Sequence, residues 1–232
     1  MNPPWLLRMT WHDLLFAHWR VPVAALRSHV PEPLAIDELD GSAWIGVVPI
    51  RMSGIRARWL PPIPGTRAFV EMNVRTYVTH GARAGVWFFS LDATSRLAVR
   101  AARASWHLNY LDARMRCARN GDSVSYESSR NHRGAPRAEF RARYRPIGPA
   151  GESSAGSLEH FLTERYCLFS SDGRGRVWRG DIEHTPWRLA PAIAEFDRNT
   201  MTDALGVRLE GRPHLRYAER IDVLAARPVR VV

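Results

Sequence analysis

Four polar side chains that could bind and transform a small molecule alternate along one predicted strand. In the segment 67–78, the polar side chains that share one face are Glu71, Asn73, Arg75 and Tyr77. An arginine can hold a carboxylate or an enolate oxygen in bidentate fashion. A glutamate on the same face can donate and accept a proton. We therefore hypothesise that Glu71 is catalytic and that Arg75, Asn73 and Tyr77 bind the ligand.

The alternating pattern leaves three alternatives open for this face. In an open sheet, the polar side chains meet water, and Glu71 and Arg75 form a structural salt bridge along the strand. In a closed barrel, either the polar face or the apolar valine and methionine face lines the lumen. A lumen that holds a carboxylate, an amide, a guanidinium and a phenol is typical of a small-molecule site rather than of a packed core.

Four residues outside this strand are further candidates for ligand binding. His18 lies in an aromatic segment, where a histidine is more often a core residue. Arg103 lies on a predicted helix, where a solvated arginine stripe is the alternative. Arg165 ends the predicted helix 157–166 and could help to close a lid. His184 precedes Pro186 and could act as a general base or pack against the turn.

The basic residues exclude one branch of catalysis. All 33 are arginine, and the sequence contains no lysine. A Schiff base, a serine–lysine dyad and a pyridoxal anchor are therefore excluded. The net charge of +10 would suit a nucleic-acid partner, but the arginines are spread along the chain and no matching motif accompanies them. We expect no nucleic-acid partner; a basic nucleic-acid-binding protein, with strongly salt-dependent binding, remains an alternative.

Motifs for cofactors and targeting were not found. The sequence has no glycine-rich phosphate loop, no dinucleotide fingerprint and no G-x-S-x-G elbow. Its nine histidines lack metal-ligand spacing, so we predict neither a metal nor a cofactor. Cys117 and Cys167 do not make a disulfide framework. Without a signal peptide or a membrane-length apolar run, we expect a cytoplasmic protein with no membrane partner.

Most of the chain is predicted to form strands. The predicted strands are 44–52, 67–78, 85–93, 113–119, 122–130, 137–145 and 214–225, with hairpins at Asn120-Gly121 and Asp172-Gly173. Helices are predicted at 23–29, 94–106 and 157–166, and a further helix or turn over 186–196. This pattern indicates an α+β fold dominated by an antiparallel, closed β-barrel with three or four short flanking helices. The length suits a single domain over 1–232.

Several motifs together point to a known family. They are LLFAHWRVP at 14–22, LDG-AWIGVVPI at 39–50, EMNVRTYV at 71–78, GVWFFSLDA at 85–93, Ala102-Arg103, LTERY at 162–166 and HTPW at 184–187. With these motifs the sequence resembles the YqjF-like family of uncharacterised bacterial proteins, a domain of unknown function. That family is similar in fold to acetoacetate decarboxylase. The resemblance implies a cone-like closed barrel with an internal pocket and, by analogy, a homo-oligomer.

The resemblance carries over only part of the decarboxylase site. In the decarboxylases a lysine forms an imine beside a glutamate and an arginine; Glu71 could match that glutamate, but the lysine has no counterpart here. Asn109-Tyr110 also departs from the closer family, where proline is expected before the tyrosine. Two functions stay open: an enzyme that transfers a proton on a small carboxylate or dicarbonyl compound, and a non-catalytic small-molecule-binding protein. Fold analogy does not choose between them.

Overall fold

The computed structural model describes residues 4–59, 61 and 68–232. The helices are α1 (Val23–Arg27), α2 (Arg96–Trp106) and α3 (Leu158–Thr163), with one 3-10 turn at Asp203–Leu205. The first seven strands are β1 (Trp5–Val21), β2 (Ala35–Ile36), β3 (Ala43–Ala57), β4 (Ala68–His80), β5 (Arg83–Ala93), β6 (Tyr110–Asn120) and β7 (Ser123–Arg130). The others are β8 (Glu139–Pro146), β9 (Cys167–Ser171), β10 (Val177–Glu183), β11 (Ala190–Asn199), β12 (His214–Ala226) and β13 (Val229–Arg230).

Nine strands close a barrel in the order β5-β6-β7-β8-β11-β12-β1-β3-β4, with β4 pairing back onto β5. All neighbours in this ring are antiparallel except β5 and β6. Closure leaves these strands without a free edge inside the ring. The predicted closed, mainly antiparallel barrel with short helices is confirmed.

A second enclosure shares the five strands β5, β12, β1, β3 and β4 with this barrel. Strands β9 and β10 bridge β5 to β12, because β9 pairs with β5 and β10 pairs with β12. Strands β1, β3 and β4 are therefore covered on both faces. One face packs with β7 and β8 into a solid core that includes Met72, Val74, Tyr126 and Phe140. The opposite face, together with α2, β9 and β10, surrounds an open cavity.

One predicted element was wrong. The segment 186–196 was predicted as a helix or turn because Pro186 stands where a helix can begin. The structure instead places β11 at Ala190–Asn199, where burial alternates with period two and Ala192, Ala194 and Phe196 pack on the core. Antiparallel pairing with β8 supplies the backbone partners and overrides the local proline signal.

A buried ion pair ties β5 to β7. Arg130 lies 2.9 Å from an Asp92 carboxylate oxygen and donates to the Ser90 hydroxyl at 3.0 Å. Arg130 and Asp92 are 6% and 0% exposed. The guanidinium is thus matched by a carboxylate, which is how a charge tolerates burial.

No helix in the described part of the chain is long and apolar enough to cross a membrane.

Candidate functional site

The cavity has a volume of about 330 Å³, within the range of small-molecule sites. Its walls are mainly aliphatic and aromatic side chains from β1, β3, β5, β12 and α2. The polar residues that line it include Glu71, Asn73, Arg75, Thr163 and Arg165. A few convergent polar groups in an apolar enclosure are typical of a ligand site.

The polar face of β4 points into this cavity. Glu71, Asn73 and Arg75 line it and are only 3%, 2% and 9% exposed. The alternative in which this face meets water is therefore wrong. The alternative salt bridge is also absent from the described structure: Glu71 instead accepts a hydrogen bond of 2.7 Å from the Tyr110 hydroxyl.

Burial makes Glu71 a carboxyl group that titrates near neutrality. Desolvation raises the pKa of Glu71 from 4.5 to about 7, and the hydrogen bond from Tyr110 only partly opposes this shift. A group with a pKa near the operating pH holds a proton in a useful fraction of molecules and accepts one in the rest. Glu71 is thereby suited to both directions of proton transfer.

Arg75 is a buried cation without a carboxylate partner among the described residues. Its Nε atom has no hydrogen-bond partner. The guanidinium lies over the rings of Phe16 and Tyr77, with centroid distances of 5.2 and 5.8 Å. Aromatic faces stabilise a cation only modestly, so an anionic ligand would supply the missing charge.

His18 and Tyr77 support the strand behind Arg75. The Tyr77 hydroxyl donates to the Leu162 carbonyl oxygen at 2.7 Å, so His18 Nε2, 2.6 Å from that hydroxyl, is the donor to it. Burial and nearby Arg75 hold the pKa of His18 well below its usual value, so His18 is neutral. Gly46 leaves room for this arrangement, because a Cβ there would come within 2.8 Å of the His18 ring.

Replacement of Tyr77 by phenylalanine tests this support. Tyr77→Phe leaves a buried carbonyl and a buried imidazole N–H unpaired, so we expect the free energy of unfolding to fall by about 1–3 kcal/mol. Urea denaturation measures the change. Tyr166→Phe is the control, because the Tyr166 side chain is 42% exposed. An equal loss in both variants would contradict the supporting role.

Arg165 also reaches the cavity, but its charge is already balanced. It lies 2.6 Å from Asp37 and donates to the Phe161 carbonyl oxygen at 2.7 Å. Its guanidinium stacks on Tyr77 and Phe161, with centroid distances of 5.0 and 4.4 Å. Of the two cavity arginines, Arg75 is thus the one left for an anionic ligand.

His184 lines the cavity within an aromatic cluster. Its ring stacks on Tyr166 at 4.7 Å and lies 5.2 Å from the Trp187 ring. His184 Nδ1 lies 2.7 Å from the Thr185 carbonyl oxygen, so Nδ1 carries a proton and donates it to that oxygen. Glu164 fixes the cluster by accepting hydrogen bonds from the Tyr166 hydroxyl and the Trp187 amide.

Arg103 lies elsewhere. Its guanidinium donates to the Tyr110 carbonyl oxygen at 2.7 Å and borders a separate surface pocket with His132 and Arg133. Its neighbour Ala102 is the residue that lines the cavity. One step along a helix turns the side chain by about 100°, which separates the two.

Sequence reasoning missed three cavity residues. Tyr110 was noted only as the residue after Asn109, which departs from the family pattern, yet it is the partner of Glu71. Trp11 and Trp187 form a stacked wall with ring centroids 6.1 Å apart, and the described residues supply no hydrogen-bond partner for their buried indole N–H groups. Trp187 stood only within the HTPW motif, and no pattern indicated that it meets Trp11, because the contacts join distant parts of the chain.

The described residues contain no group of three or more His, Cys, Asp or Glu side chains placed to hold a metal ion.

The fold belongs to a class with known enzymes in it. The chain matches MppR, an enduracididine biosynthesis enzyme complexed with pyruvate, at a TM-score of 0.68 with 12% identity, over 99% of this chain and 91% of that one. It matches an acetoacetate decarboxylase-like enzyme from Sphingomonas wittichii RW1 at 0.66 with 13% identity, over 100% and 96%. Acetoacetate decarboxylase from Legionella pneumophila matches at 0.67 with 11% identity, over 98% and 87%. The architecture is therefore acetoacetate-decarboxylase-like.

Sequence comparison gives the family. Residues 8–222 match the domain of unknown function DUF2071, described as an uncharacterized conserved protein. The chain is 48% identical over 221 residues to the uncharacterized protein YqjF of Bacillus subtilis, which covers 95% of this chain and 90% of that protein. The chain belongs to the DUF2071, YqjF-like family, as its motifs predicted.

Proposed function

We propose that the cavity binds a small carboxylate or β-dicarbonyl compound through Arg75 and that Glu71 transfers a proton to and from it. The observation that carries the proposal is that two side chains share one strand face in one cavity: a buried arginine with no carboxylate partner in the described structure, and a glutamate whose pKa is about 7. Buried charges without partners cost stability, and such costs concentrate at functional sites.

The proposed chemistry needs no lysine. The Glu71 carboxylate removes a proton from a carbon next to a carbonyl, and the electron pair moves into the carbonyl to form an enolate oxygen. Arg75 stabilises the negative charge, and the Asn73 amide lies between them on the strand. The carboxylic acid of Glu71 then returns the proton to carbon or oxygen. Atoms and charge balance without an oxidant or a second reactant.

Two titratable side chains that line the cavity with Glu71 and Arg75, those of Tyr110 and His184, are compatible with proton transfer by Glu71. Tyr110 has its pKa raised well above the usual value by burial and by neighbouring Glu71, so it stays a hydrogen-bond donor. It would hold the Glu71 carboxylate in place as the proton moves. His184 is a further polar side chain on the cavity wall, with its Nδ1 atom held by the Thr185 carbonyl oxygen.

A thermal-shift panel tests carboxylate binding. We expect small carboxylates and oxo acids to raise the melting temperature with concentration, because a ligand that binds only the folded state stabilises it. The matched primary amides should have little effect, because they lack the charge that Arg75 would bind. Equal shifts from acids and amides, or no shift from either, would contradict the proposal.

Proton transfer is tested separately from binding. In D2O, an oxo acid that binds should exchange its carbon-bound protons next to the carbonyl faster with protein than without, as followed by proton NMR. Binding without any enzyme-dependent exchange favours the second candidate, a non-catalytic binding protein with the same pocket. The mostly apolar lining and pre-formed enclosure of the cavity are compatible with that role.

A further inference from the structure

The cavity is polarised along its length. The pairing of β4, β3 and β1 gives the order of residues along the cavity. At one end, Arg75 lies opposite Gly46, which lies opposite His18. Thr163 and Arg165 also line the cavity at this end. Two residues along β4 from Arg75 comes Asn73, and two further comes Glu71, opposite Ile50.

Beyond Glu71, the described residues of β4, β3 and β1 that line the cavity are apolar. Phe69 lies opposite Met52, which lies opposite Trp11. Further along the same strands, Leu7 lies opposite Ala57. The cavity-lining side chains at this end include Leu6, Leu7, Met9, Met52, Ile55, Phe69, Val223 and Ala225. Leu6 is 39% exposed, so the apolar end of the described lining reaches the surface.

The unpartnered polar atoms on β4 mark the opposite end. Arg75 Nε and Asn73 Oδ1 are buried without hydrogen-bond partners. From Arg75 to Phe69 the strand rises about 20 Å, at about 3.3 Å per residue. A ligand held by its charge at Arg75 would therefore have an extended apolar channel beside its remaining atoms, with Glu71 part of the way along.

We infer that the ligand is an elongated apolar monocarboxylic acid, bound with its carboxylate at Arg75 and its acyl or aryl tail running past Glu71 toward Leu7 and Ala57. This rests on the proposed function, since it uses the same cavity and the same arginine. A short acid bound at Arg75 would make no contact with the apolar end of the cavity. A long acid would bury its apolar tail against the side chains there, which favours binding.

Calorimetric titration with butanoate, hexanoate, octanoate and decanoate tests the inference on the wild-type protein. We expect the affinity to rise roughly fourfold with each added methylene, until the tail reaches the open end. The primary amides of the same four lengths, which are uncharged, are the comparison at each step. Octanoate should bind at least 30-fold more tightly than octanamide.

The outcomes separate the two claims. If carboxylates bind but affinity does not rise with length, the tail inference is overturned and the carboxylate site stands. If octanamide binds as tightly as octanoate, with affinity rising along both series, the channel stands and the carboxylate site at Arg75 fails. If none of these compounds binds, both are overturned.

A variant pair at the open end provides a second test. Ala57 lines the cavity and is half-buried, while Arg56 is exposed. Neighbouring side chains on a strand point to opposite faces. We expect Ala57→Trp to weaken decanoate at least tenfold and leave butanoate unchanged, whereas Arg56→Trp changes neither. Equal decanoate affinity in all three proteins would overturn the placement of the tail.

Discussion

Replacement of Arg75 by methionine is expected to stabilise the ligand-free protein and to abolish carboxylate binding. Methionine keeps an unbranched apolar stem like that of arginine but removes a buried charge that has no carboxylate partner among the described residues. We expect the free energy of unfolding to rise by about 1 kcal/mol or more. For a chain of this size, that corresponds to about 2–4 °C in melting temperature. Carboxylate affinity should fall about 30-fold or more.

The matched control is Arg130, a buried arginine on another strand of the barrel. Arg130 is 6% exposed, but it is paired with Asp92 at 2.9 Å. Arg130→Met strands a buried carboxylate, so it should lower the free energy of unfolding by about 3–5 kcal/mol. We expect the free energy of unfolding to rise in Arg75→Met and to fall in Arg130→Met. This difference distinguishes an arginine that binds a ligand from one that stabilises the fold. A comparable loss of stability in both variants would show that Arg75 is structural.

Replacement of Glu71 by glutamine is expected to have an effect on stability that depends on pH. The pKa of Glu71 is about 7 in the folded protein and ordinarily 4.5. Between these values the folded state keeps a proton that the unfolded state releases, so stability is lost as pH rises through this window. Above about pH 7 the full cost of the buried carboxylate is present, on the order of 3 kcal/mol.

Glutamine removes this cost and still accepts a hydrogen bond from Tyr110. We therefore expect Glu71→Gln to unfold at higher denaturant concentration than the wild type at pH 8 and at a similar concentration at pH 4. Guanidinium titrations at both pH values measure the difference. A constant difference between the proteins across this range would mean that Glu71 does not titrate there.

The same variant separates catalysis from binding. If Glu71 moves the proton, exchange next to the substrate carbonyl should fall by about 10²- to 10⁴-fold in Glu71→Gln, with carboxylate affinity largely kept. In the wild type, the exchange rate should rise with pH up to about 7, because the base form is the ionised carboxylate. Unchanged exchange in Glu71→Gln would remove the catalytic assignment and leave the binding site intact.

The sequence predicted β4 well, because the alternation of polar and apolar residues that indicates a strand lies within the strand itself. The alternation over 67–78 fixes both the strand and the side chains that share a face, and the structure has β4 at Ala68–His80. Which environment that face meets depends on β9 and β10, which pair with β5 and β12 far along the chain. From the sequence, the polar face of β4 could therefore line a lumen or meet solvent. The pairing of β9 and β10 with β5 and β12 is what encloses it.

The partner of Glu71 was not predictable for the same reason. Tyr110 begins β6, and its position follows from the parallel pairing of β6 with β5 rather than from any neighbouring residue. Arg103 shows the complementary difficulty. Its helix was predicted, but the choice between the cavity and the surface pocket depends on how α2 rotates against the sheet, which leaves Ala102 facing the cavity.

The most direct test of the carboxylate site is a crystal structure of the wild-type protein grown with 8-bromooctanoate. The anomalous signal of bromine locates the tail independently of the carboxylate density. We predict a carboxylate within hydrogen-bonding distance of the Arg75 guanidinium and a bromine peak toward Leu7 and Ala57. A carboxylate at the open end with bromine near Arg75, or a cavity that contains no bromooctanoate at saturating concentration, would contradict the account.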